Sequence, residues 1–215
     1  MEYRTLYLPI GLPYSGKTTM AEIFKDIYNG DLFIGGIDRA REELYPGYFK
    51  GEIDFDAINA NDVFIHAIKT LEEKIETNDV WWDATNLSRQ TRAVVAFSAQ
   101  KICHVTKQDI KVVAIDFKVP FNEILTRYWG NSELERHNVP ISKLENMFKV
   151  KLTEPLNLES ENIDEIFAVE WVDENWELIE WKVSDKCSLI DANDTKVADL
   201  VREVKKRFEM IEKVV

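Results

Sequence analysis

Cysteine is scarce: Cys103 and Cys187 are the 2 in the 215-residue chain. Two is too few for a disulfide scaffold, and neither has the paired spacing of a zinc site. Histidine is nearly as rare, at 3. His66 falls in a long helical pattern and reads as structural, and His104 beside Cys103 has no third ligand nearby to make a metal centre. Long apolar runs are missing too. The longest charge-free stretch, residues 5–16, is broken by Pro9, Gly11 and Pro13, well short of the ~20 apolar residues of a membrane helix. No charged and then apolar segment precedes the first strand-like residues, so a secretory leader is not expected. Together these absences lead us to expect a cytoplasmic protein in a reducing setting. Positive charge is in deficit, with 27 Lys+Arg against 39 Asp+Glu and a net charge of −12. That balance argues against broad, sequence-independent binding to duplex backbone, which needs clustered cations, and leaves room for a small local cationic site.

What is present is ordinary for a globular chain: 45% hydrophobic and 31% charged residues, enough to exclude disorder over most of its length. The length suits one domain, or one with a decorated end, burying about 70% of its unfolded surface. The charge is uneven. Residues 155–215 hold 8 basic and 16 acidic residues, whereas residues 1–154 hold 19 and 23. A polyanion is therefore expected to meet the N-terminal part.

Short apolar runs alternate with helical periodicity. Leu6–Ile10, Leu32–Ile37, Val80–Asp83 and Val112–Phe117 read as strands. Thr18–Tyr28, Ala57–Ile75, Ser88–Thr106, Phe121–Trp129 and Ile141–Leu152 read as helices. In Ala57–Ile75 the predicted apolar stripe is Val63, Ile65, Ile68, Leu71 and Ile75. Such alternation predicts an α/β fold, a parallel sheet with helices on both faces. Ile166–Val172 and Trp176–Val183 then predict a β-hairpin, and Val197–Ile211 a closing helix, with Pro155–Asn162 as a loop and Leu189–Ile190 as a short strand. Trp171, Trp176 and Trp181 in that hairpin read as packing residues, with base stacking as the alternative. The expected organisation is a core over 1–154 with a lid near 130–139, and an acidic C-terminal extension over 155–215 packed on that core.

The chemistry is concentrated early. Gly11-Leu-Pro-Tyr-Ser15-Gly16-Lys17-Thr18 fits the phosphate-loop pattern G-x-x-x-x-G-K-S/T, with a strand before it and a helix after it. Glycines let the backbone turn its N–H groups toward phosphate oxygens, and the helix start presents its positive end. Gly11, Ser15, Gly16, Lys17, Thr18 and Thr19 are the candidate nucleotide contacts. Lys17 would meet the β- and γ-phosphates, and the Thr18 hydroxyl would ligate Mg²⁺. The expected cofactor set is thus ATP with Mg²⁺.

Asp38 follows the second strand, at the sheet edge that faces the nucleotide in such folds. A carboxylate there can take a proton from an attacking hydroxyl, and Arg41 one turn later can hold a substrate anion. Position alone leaves Asp38 open as base or helix N-cap. After the third strand, Asp83-Ala-Thr85-Asn86 offers a carboxylate for Mg²⁺ or phosphate, and Thr85 and Asn86 as substrate contacts or helix caps. Trp81 and Trp82 before it read as core on opposite faces. Arg127 and Arg136 flank a polar stretch, Gly130–Asn138, that suits a lid; His137 there is a candidate substrate contact. An arginine so delivered can stabilise a transferring phosphoryl group.

This series of phosphate loop, Asp38-x-x-Arg41, Asp83-Ala-Thr85-Asn86-Leu and arginine lid ending in Val139-Pro140-Ile resembles the kinase domain of bacteriophage-type 5′-polynucleotide kinase, over residues 4–152. The resemblance implies a P-loop NTPase fold of the kinase kind, Asp38 as general base on a 5′-hydroxyl, Arg41 on the acceptor phosphate, and the lid arginine, assigned to Arg136 with Arg127 in support, on the transferring group. It implies a short single-stranded nucleic-acid end as acceptor. No Asp-x-Asp-x-Thr phosphatase signature occurs. Two other readings stand beside this one: the same kinase chemistry on a nucleoside, modified base, sugar or nucleotide-sugar, and a non-catalytic ATP-binding module. Oligomeric state is not specified by the sequence.

Overall fold

The computed structural model describes residues 3–27, 32–131, 139–172 and 175–184. Six strands form one sheet: β1 (Arg4–Ile10), β2 (Leu32–Gly36), β3 (Asp79–Asp83), β4 (Ile110–Lys118), β5 (Glu165–Val172) and β6 (Asn175–Val183). Their spatial order is β2-β3-β1-β4-β5-β6. The first five run parallel and β6 closes the edge antiparallel to β5. β1, β3 and β4 are buried along nearly their whole length, as expected where helices cover both faces of a parallel sheet.

The helices are α1 (Lys17–Ile27), α2 (Ile37–Leu44), α3 (Ala60–Ile75), α4 (Arg89–Thr106), α5 (Phe121–Asn131), α6 (Ile141–Thr153) and the single turn α7 (Leu158–Glu161). Local chemistry explains their limits. Asn59 accepts hydrogen bonds from the Asn61 and Asp62 amides, so α3 starts at Ala60 and not at Ala57; residues 55–57 form a 3-10 turn instead. Within α3 the buried face is Val63, Ala67, Leu71 and Ile75. Ile65, expected in that stripe, is exposed, because it sits two residues, about 200°, from Val63. Leu32–Ile37 stops one residue early, since Ile37 opens α2. Within the expected loop 155–162, Asn157 accepts from the Ser160 amide and α7 forms.

Trp81 and Trp82 are both fully buried. The Trp81 ring completes a cluster with Phe24 (5.2 Å) and, through Phe24, Tyr7 (5.7 Å). The hairpin expected at Ile166–Val183 is present, and its first strand pairs with β4 from Val113 to Lys118, so the sheet runs on past residue 155. Trp171 lies under the Arg127 guanidinium, 4.5 Å from its ring centroid. Among the described residues, buried ion pairs join distant segments, Lys111 with Glu165 and Arg92 with Glu161; Arg92 Nε and Nη2 meet Glu161 Oε2 and Oε1 at 2.5 and 2.8 Å. The lid residues Arg136 and His137, the side chains of Trp176 and Trp181, Leu189–Ile190, and Val197–Ile211 lie outside the described residues. Among the described residues, no helix is long and apolar enough to cross a membrane.

Candidate active site

The turn between β1 and α1 has the backbone shape that an anion-binding loop requires. Gly16 and Tyr14 both have left-handed backbone (φ 85 and 65). A Cβ on Gly11 would stand 2.5 Å from Ser15 Oγ and 3.1 Å from Phe117 Cβ, so a larger residue there would displace the Ser15 side chain from the loop. The turn is held by Ser15 N–H donating to Leu12 O (3.2 Å) and Gly11 N–H donating to Thr85 O (3.1 Å). Lys17 is 7% exposed. Its ammonium folds over the loop, donating to Leu12 O at 2.6 Å and Ser15 Oγ at 3.3 Å. Burial lowers its pKa to about 8; the Asp83 carboxylate opposes that shift and the Lys151 charge adds to it. Thr18 and Thr19 are exposed at the start of α1.

Asp83 ends β3. The Thr18 hydroxyl donates to its Oδ2 at 2.7 Å. Burial raises the Asp83 pKa, against the Thr18 hydrogen bond and the Lys17 charge. A hydroxyl and a carboxylate in contact form a hard-oxygen pair, the donor set that suits Mg²⁺ held by one or two protein oxygens with phosphates and water completing its shell. These residues fit that ion.

Thr18, Asp83, Asp38, Arg39, Tyr48 and Phe49 border one cavity of about 530 Å³. Asp38 sits in the first turn of α2, but Gly36 occupies the N-cap position, so the N-cap alternative for Asp38 is overturned. Gly36 is required there. Its φ is 150, and a Cβ would lie 2.1 Å from Asp83 O in the neighbouring strand. That close approach brings the ends of β2 and β3 together, with Gly36 in register with Asp83. Asp38 Oδ1 receives both the Arg41 guanidinium and the Tyr48 hydroxyl, the latter at 3.2 Å. Arg41 also lies over the Tyr48 ring, 5.6 Å from its centroid. It is thus turned toward Asp38 and Tyr48.

Thr85 and Asn86 are not caps. Ser88 caps α4, its side chain accepting from the Thr91 amide at 3.2 Å. Asn86 is 2% exposed and adopts left-handed backbone (φ 50). Its amide donates to Pro9 O at 2.7 Å and Ala84 O at 3.2 Å, stitching the turn after β3 to β1. Asn86 therefore shapes the floor of the phosphate loop and does not reach the cavity as a substrate contact. Arg127, on α5, donates to Tyr14 O in the phosphate loop at 3.2 Å and to Glu123 at 2.8 Å.

Sequence reasoning missed Tyr48, Phe49 and Lys151. Tyr48 and Phe49 stand between Gly47 and Gly51, both left-handed (φ 98 and 73); two aromatics bracketed by glycines soon after Asp38-x-x-Arg41 were the available signal. Lys151 comes from α6 and donates to Phe117 O at 2.5 Å and to Asp116 at 3.0 Å, behind the phosphate loop. Burial lowers its pKa. Nothing local in the sequence marks it. Among the described residues, no cluster of three or more His, Cys, Asp or Glu side chains could hold a metal by itself.

This combination of a mostly parallel sheet flanked by helices, a phosphate-loop motif after β1 and carboxylates after β2 and β3 is an α/β fold of the phosphate-loop kind. No protein-family model matches the chain, and no curated protein matches it. Solved structures do. The chain superposes on a fungal RNA kinase with a TM-score of 0.53 at 12% identity, covering 97% of both chains. It superposes on a structure from the PezAT toxin–antitoxin system of Streptococcus pneumoniae with a TM-score of 0.55 at 15% identity, covering 99% of this chain and 86% of that one. With Kti12 of Chaetomium thermophilum, solved with ADP-AlF3, the TM-score is 0.58 at 15% identity, covering 97% of both. At these identities the likeness establishes the fold.

Proposed function

We propose that the protein is an ATP-dependent kinase that transfers the γ-phosphoryl group to the 5′-hydroxyl of a short nucleic-acid end. The observation that supports it most directly is one cavity with Thr18 and Asp83 on one side and the doubly held Asp38 on another. The phosphate loop cradles the nucleotide, with Lys17 moving from Leu12 O to the β- and γ-phosphates. Thr18 and Asp83 would hold Mg²⁺, which supplies neutralisation of phosphate charge. Asp38 has its Oδ1 occupied by Arg41 and Tyr48, which leaves Oδ2 to orient the acceptor hydroxyl and accept its proton. The hydroxyl oxygen bonds to the γ-phosphorus as the bond to the β,γ-bridging oxygen breaks, and ADP departs. Arg127 reaches the phosphate loop through Tyr14 O; Arg136, by its place in the sequence, is the second arginine for the transferring group. Arg41 is read as the residue that orients Asp38, in addition to any contact with acceptor phosphate.

The test is transfer of label from γ-labelled ATP to a short 5′-hydroxyl oligonucleotide, with a 5′-phosphorylated twin and Lys17→Ala as controls. Asp38→Asn is expected to lower kcat by about 10²- to 10⁴-fold while ATP affinity stays within about twofold. An unchanged kcat removes Asp38 as the base. Absence of transfer to every 5′-hydroxyl tried, with ATP still bound, moves the acceptor to a small molecule.

A further inference from the structure

We propose that Phe49 is the platform on which the first base of the acceptor stacks, so that this site takes a nucleobase-bearing acceptor. The inference rests on the kinase reading above and narrows its substrate. Phe49 is 56% exposed and borders the same cavity as Asp38 and Thr18. An exposed phenylalanine is unremarkable by itself; its mounting is not. The Glu42 carboxylate accepts from the Phe49 amide at 2.7 Å and from the Gly47 amide at 3.1 Å. Lys50 and Glu52 N–H both close on Gly47 O at 3.1 Å, and Gly51 N–H on Tyr48 O at 3.0 Å. The backbone beneath the ring is therefore fixed before any ligand arrives, which limits the entropy lost on binding.

The neighbour in sequence sets the distance to the chemistry. Tyr48 is buried and donates to Asp38, and its ring centroid lies 5.6 Å from that of Phe49, the planes inclined at 52°. An acceptor whose hydroxyl meets Asp38 thus has an aromatic face within one residue of its reacting group. Polar side chains line this cavity too, Glu22, Lys25 and Arg39 among them, but some of its polar groups are already engaged: the Tyr48 hydroxyl with Asp38, and the Arg39 guanidinium with Ile34 O at 2.6 Å. Phe49 offers a π-face and no hydrogen bond. A sugar acceptor needs a polar partner for each buried hydroxyl, whereas any base can stack on a ring. Lys25 and Arg39 line the same cavity and supply positive charge for a neighbouring phosphate.

The experiment compares a short 5′-hydroxyl oligonucleotide with a twin whose 5′-terminal residue is abasic, using the full chain. KM of the base-bearing substrate is expected to be about 10-fold or more below that of the twin. Phe49→Ala should raise it to the twin's value, leave the twin and ATP unaffected, and change kcat little. Phe49→Trp should restore it. In a separate binding measurement, a 5′-terminal 2-aminopurine should be quenched by the wild type and by Phe49→Trp, and not by Phe49→Ala. Equal KM for wild type and Phe49→Ala while transfer proceeds overturns the stacking inference and leaves the kinase reading standing. Equal loss on both oligonucleotides assigns Phe49 a structural role and likewise overturns it. No transfer to any 5′-hydroxyl overturns reading and inference together.

Discussion

The Lys17 ammonium is buried against the phosphate loop, and burial outweighs the Asp83 charge to bring its pKa to about 8, from 10.5 in an unfolded chain. Between those two values the unfolded chain keeps a proton that the folded one sheds, so this group's contribution to stability improves as pH rises from about 8 to 10.5. Nucleotide binding has the opposite sign. A polyphosphate stabilises the charged lysine, so ADP affinity should be flat below pH 8 and weaken by up to about tenfold per pH unit above it. Calorimetry at pH 6.5–9.5, in buffers of differing ionisation enthalpy, should show proton uptake on binding that grows across this range; no uptake at pH 8.5 separates the Lys17 proton from binding. Lys17 and Thr18 stand out as candidates by the phosphate-loop spacing, and Asp83 by its place after the third strand. The partner that each one touches does not, because Thr18 and Asp83 are 65 residues apart and meet only through the β1–β3 pairing.

At the scale of elements, α7 is one turn long and has no stability of its own. It is held by Glu161, which forms a two-bond pair with Arg92 of α4, both side chains nearly inaccessible. Arg92 also donates to Leu87 O at 2.5 Å and to Glu154 O at 3.1 Å, so the pair ties the turn after β3 to the end of α6. Glu161→Gln leaves a buried guanidinium without its counter-charge and should cost about 3–5 kcal/mol in urea unfolding, and Arg92→Met/Glu161→Leu should recover most of it. A loss under about 1 kcal/mol in the single variant would show that water or relaxed backbone replaces the carboxylate. In the sequence Arg92 looks like a helix-surface cation and Glu161 like one more acid in a loop; only packing makes them partners. The same holds for α2, whose start at Ile37 follows from Gly36 lying against Asp83 O.

At the scale of the molecule, the net charge of −12 bears on the acceptor. On the proposed kinase reading, Lys25 and Arg39 are the cations lining the cavity beside Asp38, so one or two acceptor phosphates are expected to be contacted. The plot of log affinity against log salt for a 5′-hydroxyl oligonucleotide should have a slope of about −0.7 to −1.4. Lengthening the strand from about 3 to 12 nucleotides should tighten binding by less than about threefold, measured by fluorescence anisotropy. A slope steeper than about −3 would mean that a longer basic track exists than this cavity supplies.

The sequence by itself determined the strand–helix alternation, the phosphate loop and the carboxylates at strand ends. Each is written in residues a few positions apart, through periodicity, turn chemistry and the geometry of a helix start. Tertiary structure decided the strand order, the place of β5 beside β4, the turning of Arg41 and Tyr48 onto Asp38, and the enclosure of Lys17 and Arg92. Those depend on which distant segments exclude water together, and no local pattern encodes that.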